Sequence, residues 1–111
     1  MKFKRLWSVL QSHSPDTLLD GLPLLYWALK KPKCVALLLR VGANPDIHCR
    51  VDNDLCVSPL YSVEFHLRAA KSKAKQKIVC DILKYYGAHS IRYSDFCVVD
   101  IHLSGYREIV L

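Results

Sequence analysis

Apolar positions recur every three to four residues over 33-KCVALLLRV-41, where Cys34, Val35, Leu37, Leu38 and Val41 share one side. That spacing predicts a helix with one buried face. The run halts at 42-GANPD-46. Gly42 can take the left-handed conformation that ends a helix without a Cβ clash, and Pro45 cannot continue one. The pattern returns in 76-QKIVCDILKYYGA-88, with Ile78, Val79, Ile82, Leu83 and Tyr86 as the stripe and Gly87 as the stop. Each long run follows a shorter one. In 20-DGLPLLYWAL-29, Asp20-Gly21 signals a turn and Pro23 suits the first turn of a helix. In 58-SPLYSVEF-65, Ser58 is a good N-cap and Pro59 a good first helical residue. Lys30-Lys31-Pro32 divides the first pair, and the basic stretch 67-LRAAKSKAKQK-77 divides the second. The predicted unit is turn, helix, short turn, helix, glycine stop.

Ser58-Pro59-Leu60-Tyr61 resembles the Thr-Pro-Leu-His core of the ankyrin repeat, whose unit is about 33 residues. Pro23-Leu24-Leu25-Tyr26 with Ala28 is a looser match, Gly42-Ala43-Asn44-Pro45-Asp46 is similar to the closing turn of that unit, and Gly87-Ala88 matches the turn in part. At one end, 5-RLWSVLQSH-13 resembles the second helix of a preceding unit, with His13 in the glycine's place. At the other, 103-LSGYREIVL-111 looks like the middle of a third unit, whose first helix would be 94–103 with Ser94 or Asp95 as cap. The resemblance implies an all-α, ankyrin-like solenoid of stacked antiparallel helix pairs with projecting turns, forming a single domain over 1–111. Its segments are a partial N-terminal repeat or cap at 1–16, a repeat at 17–49, a repeat with a basic insertion at 50–91, and a partial C-terminal repeat at 92–111. Taken alone, 96-FCVVDIHL-103 and 106-YREIVL-111 read as a β-hairpin through Ser104-Gly105. The repeat register overrides that reading and places Glu108-Ile109-Val110 at the start of a second helix. Such a short helix is expected to dock loosely from about Gly105 onward. That would expose residues of the Ile82-Leu83 stripe and invite self-association.

The chain carries a net charge of +6, which favours acidic partners such as nucleic acid, an anionic surface or an acidic protein face. No apolar run approaches the roughly 18 residues of a membrane span, and the N-terminal 16 residues do not read as a secretory signal. Lys2 to Leu10 could form an amphipathic surface helix, but a capping helix whose Trp7 and Leu10 cover the first whole repeat is the favoured reading. Cys34, Cys49, Cys56, Cys80 and Cys97 are odd in number, which implies reduced thiols and a cytoplasmic or nuclear location.

His48, Cys49, Cys56 and His66 are metal-ligand types, yet their His-Cys-x6-Cys-x9-His spacing lacks the close pairs of a zinc site. No nucleophile elbow, phosphate loop or HExxH accompanies the Cys and His residues, and Asp52 and Asp54 read as turn residues. The expectation is therefore a non-enzymatic protein with no cofactor and no metal.

The resemblance implies that a protein partner meets the turns and first helices, at Asp20, Leu22, Lys30, Lys31, Asp54, Val57, Phe65, His66, Arg92, Tyr93 and Asp95. Leu22, Val57, Phe65 and Tyr93 are the hot-spot candidates among them. Arg68, Lys71, Lys73, Lys75 and Lys77 form a candidate anion-binding rim that Lys30, Lys31 and Lys33 would adjoin. The leading expectation is a protein-interaction scaffold or adaptor. One alternative is binding of nucleic acid or an anionic surface through this rim, although the rim lacks the aromatic residues that stack on bases. Another is a fragment of a ubiquitin-ligase substrate receptor of the ankyrin-plus-SOCS-box kind, which Cys34, Cys80 and the SPLY motif resemble faintly.

Overall fold

A computed structural model describes residues 2–52, 55–69, 73–94 and 108–109. Helix α1 (Phe3–Leu10) leads into a short hairpin, β1 (Leu18–Leu19) and β2 (Leu22–Pro23), and then into α2 (Leu24–Ala28) and α3 (Pro32–Arg40). A second hairpin, β3 (Cys49–Asp52) and β4 (Leu55–Val57), leads into α4 (Pro59–Ala69) and α5 (Ala74–Tyr85). Strands β5 (Arg92–Ser94) and β6 (Glu108–Ile109) complete the described elements.

The fold is mixed α/β, which corrects the expected all-α solenoid. The segments expected to be projecting turns are paired backbone. β2, β1 and β6 form one three-stranded sheet, and β3, β4 and β5 form another. The physical reason lies in the connections. Backbone amides and carbonyls in a connection longer than a few residues need partners, and antiparallel pairing supplies them. Asp20 and Gly21 both take positive φ, at 51° and 77°, as the two-residue turn between β1 and β2 requires. Pro23 stands in β2 opposite Leu18 rather than inside a helix. The tail departs from the repeat register as well. Glu108–Ile109 pairs in parallel with Leu18–Leu19 instead of starting a helix. The residues from 95 to 107, which include the other half of the predicted hairpin, lie outside the described residues.

Two glycine stops share one geometry. Gly42 and Gly87 have φ of 100° and 85°. The Ala43 amide donates to the Leu38 carbonyl and the Gly42 amide to that of Leu39, and Ala88 and Gly87 make the same pair of bonds to Leu83 and Lys84. These are Schellman closures, which satisfy carbonyls that the helix itself leaves open. Helix α1, with His13 at the corresponding place, closes differently: the amides of Ser12 and His13 both donate to the Val9 carbonyl.

One core runs through the described units. Leu6 and Val9 of α1, Leu24, Leu25 and Ala28 of α2, and Cys34, Val35, Leu38 and Leu39 of α3 join Leu60, Val63, Val79, Cys80 and Leu83 of α4 and α5. Helix α3 packs against α1, α2 and α5, so it is the central element. The buried faces differ in phase from the expected stripes. Leu39 and Cys80 are buried, whereas Val41, Ile78 and Tyr86 are 46%, 49% and 39% exposed. Leu83, expected at an uncovered face, is fully buried. In α1, Leu6 and Val9 make the seal, and Trp7 stands largely in solvent. The separator of the second unit also shrinks, because α4 runs on to Ala69 and α5 already begins at Ala74.

Hydrogen bonds from side chains tie one unit to the next. The Asp16 carboxylate accepts the Asn44 amide at 2.8 Å, and the Asp46 carboxylate accepts the His89 amide at 2.6 Å. The other Asp46 oxygen lies 2.6 Å from Nδ1 of His89. Both aspartates sit in small local turns, their own amides donating to Ser14 Oγ and Asn44 Oδ1. Each aspartate thus reaches the loop that follows the next glycine stop or contains it. Burial raises the Asp16 carboxyl above its usual range, and the hydrogen bond from Asn44 only partly offsets this. The folded chain therefore holds that proton more tightly than the unfolded chain does. The protonated carboxyl's advantage in the folded chain is therefore whole below the ordinary carboxylate range and is lost as pH rises through the raised folded pKa. Asp16→Asn keeps a carbonyl acceptor without burying a charge, so at pH 7 its stability should equal or exceed that of the parent. Asp16→Ala should lose about 1 kcal/mol, as for a typical hydrogen bond. Urea unfolding of both variants at pH 4 and pH 7 checks this, and the advantage of Asn over the parent should be larger at pH 7.

Candidate interaction surfaces

Two surfaces combine exposed apolar groups with cationic ones. The first is built on α4 and its flanking strands. Ser58 caps α4, its Oγ accepting the Tyr61 amide at 3.3 Å, so the first turn is anchored and its side chains are fixed in phase. Tyr61 and Phe65 are four residues apart and therefore share a helical face. Their rings stack at 6.3 Å with 22° between planes. β5 pairs with β4 and places Arg92 beside them, its guanidinium carbon 6.0 Å from the centre of the Tyr61 ring. Phe65 is 59% exposed. The result is a cation–aromatic–aromatic row at the surface.

The second surface forms where α3 and α5 begin. A hollow of about 620 Å³ has Phe3, Pro32, Cys34 and Ile78 as its apolar walls. Lys2, Lys30, Lys31, Lys33 and Lys75 complete its lining. Neither α3 nor α5 has an acidic residue in its first turn, and neither has a side-chain N-cap bond. The positive ends of two helix dipoles therefore add to the charge of the lysines. Ile78 also lines a second hollow of about 410 Å³ along α5, together with Ala36, Asp81, Ile82, Tyr85 and Tyr86.

The residues expected to meet a partner divide between these surfaces. Phe65 and Arg92 come together in the first, while Lys30 and Lys31 belong to the second. Val57 is buried and its carbonyl accepts the Tyr26 hydroxyl, so it is a packing residue and not a hot spot. Leu22 is half-buried in the first hairpin, and Asp20 is exposed at the tip of that hairpin. Lys73, Lys75 and Lys77 are exposed at the start of α5, and the hollow brings Lys75 together with the lysines of the first unit. Asp54, Lys71 and Asp95 lie outside the described residues. His66 and Arg68 are described only as backbone of α4, and Tyr93 only as backbone of β5. Sequence reasoning missed Tyr61, Phe3 and Ile78. Tyr61 was legible from its four-residue spacing to Phe65; Ile78 was placed in a packing stripe and Phe3 only within the N-terminal helix, and the fold exposes both.

Cys34, Cys49, Cys56 and Cys80 are buried thiols. Among the described residues no group of three or more His, Cys, Asp or Glu converges on a point. Burial, helped by the neighbouring Cys56, pushes the Cys49 thiol up to about 11. The folded chain keeps this proton where the unfolded chain gives it up, so this contribution to stability is whole below an ordinary thiol pKa and is lost as pH rises to about 11. Native Cys49 should accordingly resist iodoacetamide at pH 8 and react promptly in urea, as peptide mass mapping can read. Among the described residues no helix is long and apolar enough to cross a membrane. No protein-family model, curated protein or solved structure matches the chain.

Proposed function

We propose that this chain is a non-enzymatic protein-interaction module that holds a protein partner through the aromatic face of α4. The observation that carries this reading is the row of Phe65, Tyr61 and Arg92, with Phe65 left 59% exposed beside a ring that already stacks on it. Aromatic and arginine side chains are the types that dominate binding energy at interfaces. Two of the three were expected partner residues on the sequence alone. The row stands on a helix packed into the core and on a paired strand, so little conformational entropy is lost on docking.

The test is site-specific photocrosslinking in cells, with a benzophenone amino acid in place of Phe65 and, as a control, in place of the exposed Lys84. The Phe65 position should yield discrete adducts with a defined protein, and adding Arg92→Glu should remove them while the circular dichroism spectrum and melting temperature stay unchanged. Equal adduct patterns from the Phe65 and Lys84 positions would overturn the proposal.

A further inference from the structure

We propose that the lysine-lined hollow at the start of α3 and α5 is a second binding site, separate in residues from the α4 face, and that it takes an acidic peptide segment carrying an apolar anchor side chain. The proposal rests on charge complementarity around an apolar site. Among the described residues, five lysines and no carboxylate line the hollow. Phe3 and Ile78, which line its apolar part, remain 44% and 49% exposed. Lysines from three separate chain segments meet there: Lys2 from the N-terminal arm, Lys30, Lys31 and Lys33 from the turn into α3, and Lys75 from α5. Crowding like charges at the positive ends of two helices opposes folding unless an anion is bound. An occupant that supplies carboxylates relieves this repulsion, and one that also supplies an aliphatic or aromatic group removes Phe3 and Ile78 from water.

The shape of the surface selects a peptide over other anions. A nucleic-acid backbone brings charge but no aliphatic group for the Pro32 and Ile78 walls. A fatty acid brings both, yet this hollow and the neighbouring one along α5 are more open than enclosed, so an acyl chain lying there would stay partly in water. An extended peptide leaves its polar backbone on that open side and turns its anchor inward. Past Ile78 the surface continues over Ile82, Tyr85 and Tyr86, with Tyr85 as much as 84% exposed, so a second apolar side chain of the same segment has a place. Asp81 is the carboxylate of this second stretch. Acidic residues of the segment therefore belong beside Lys30, Lys33 and Lys75, and its second apolar residue belongs beside Tyr85.

Fluorescence anisotropy on the full chain tests this with four labelled probes: a ten-residue peptide of alternating glutamate and aspartate with a central Leu-Trp pair, the same peptide with Gly-Gly at its centre, a twelve-residue oligothymidine, and a labelled dodecanoic acid. The anchored peptide should bind saturably at physiological salt, at least about tenfold tighter than the Gly-Gly peptide and than either other probe. Ile78→Ser should weaken it about tenfold, and Lys33→Glu with Lys75→Glu at least as much, with a shallower salt dependence. Phe65→Ser should leave it unchanged, which separates this site from the α4 face. Ile78→Ser lies at an exposed position on α5, so an unchanged circular dichroism spectrum is expected to accompany the loss. Equal binding of the two peptides, tighter binding of oligothymidine or of the fatty acid, or no saturable binding of the anchored peptide below millimolar concentration would each overturn the proposal.

Discussion

Replacing Ser58 with alanine is expected to lower the unfolding free energy by about 2–4 kcal/mol. The hydroxyl is fully buried and serves three backbone groups at once. It donates to the His89 carbonyl at 2.7 Å and accepts the amides of Ile91 at 2.9 Å and Tyr61 at 3.3 Å. The Ser58 amide in turn donates to the Ile91 carbonyl at 2.9 Å. One side chain therefore caps α4 and clamps the chain after α5 onto the start of the same unit. Alanine fits the space but leaves a part-buried carbonyl and two part-buried amides without this partner. An unmade buried hydrogen bond costs more than a made one contributes, because the stranded group has also lost water. Ser90→Ala, at an exposed position nearby, should change stability by less than about 0.5 kcal/mol. Urea denaturation with a common slope decides the matter. A Ser58→Ala variant within about 0.5 kcal/mol of the parent would mean that the clamp is not made in solution.

Leu38→Ala and Leu83→Ala should each cost about 2–5 kcal/mol, the range for truncating a fully buried leucine. Val41→Ala and Ile78→Ala should cost less than about 1 kcal/mol. Leu38 and Leu83 have no exposed surface, and both belong to the core cluster that spans the units. Their carbonyls also accept the final amide of each glycine stop, so a shift of either helix to fill the cavity would disturb that closure. Val41 and Ile78 keep about half their surface in water and leave little cavity behind. A domain of this size has a total stability on the order of 5–15 kcal/mol, so either leucine variant should melt well below the parent. Thermal unfolding of the four single variants separates the two classes. Equal losses at Leu83 and Ile78 would show that the stripe has the phase read from the sequence rather than the one that buries Cys80 and exposes Ile78.

Local chemistry was legible without coordinates wherever a residue acts within one turn of its own position. Gly42 and Gly87 end helices because a side chain there would strain the backbone. Asp20-Gly21 turns the chain because both residues tolerate positive φ. Ser58 caps a helix because its oxygen lies within reach of an amide three residues ahead. The existence of α3 and α5 follows from apolar spacing in the same way. The phase of their buried faces does not. In 33-KCVALLLRV-41 apolar residues are nearly continuous, so a rotation of about 100° about the axis, one residue's worth, still offers an apolar stripe. Which stripe is buried is decided by α1, α2 and α5 closing on α3 from different sides, which selects Leu39 over Val41. The same packing uncovers Ile78 and gathers Lys2, Lys30, Lys31, Lys33 and Lys75 around one hollow. The strands are tertiary in the same sense. Leu18–Leu19 is too short to read as a strand alone and is held by Leu22–Pro23 on one side and Glu108–Ile109 on the other. Residues 90 positions apart make the pairing with Glu108–Ile109, a separation over which no local propensity carries information. The bond between Asp16 and Asn44, 28 residues apart, has the same origin. Sequence alone determined where the chain turns and which segments coil. Tertiary structure decided which sides of those segments meet, because burial depends on what else arrives at the same place.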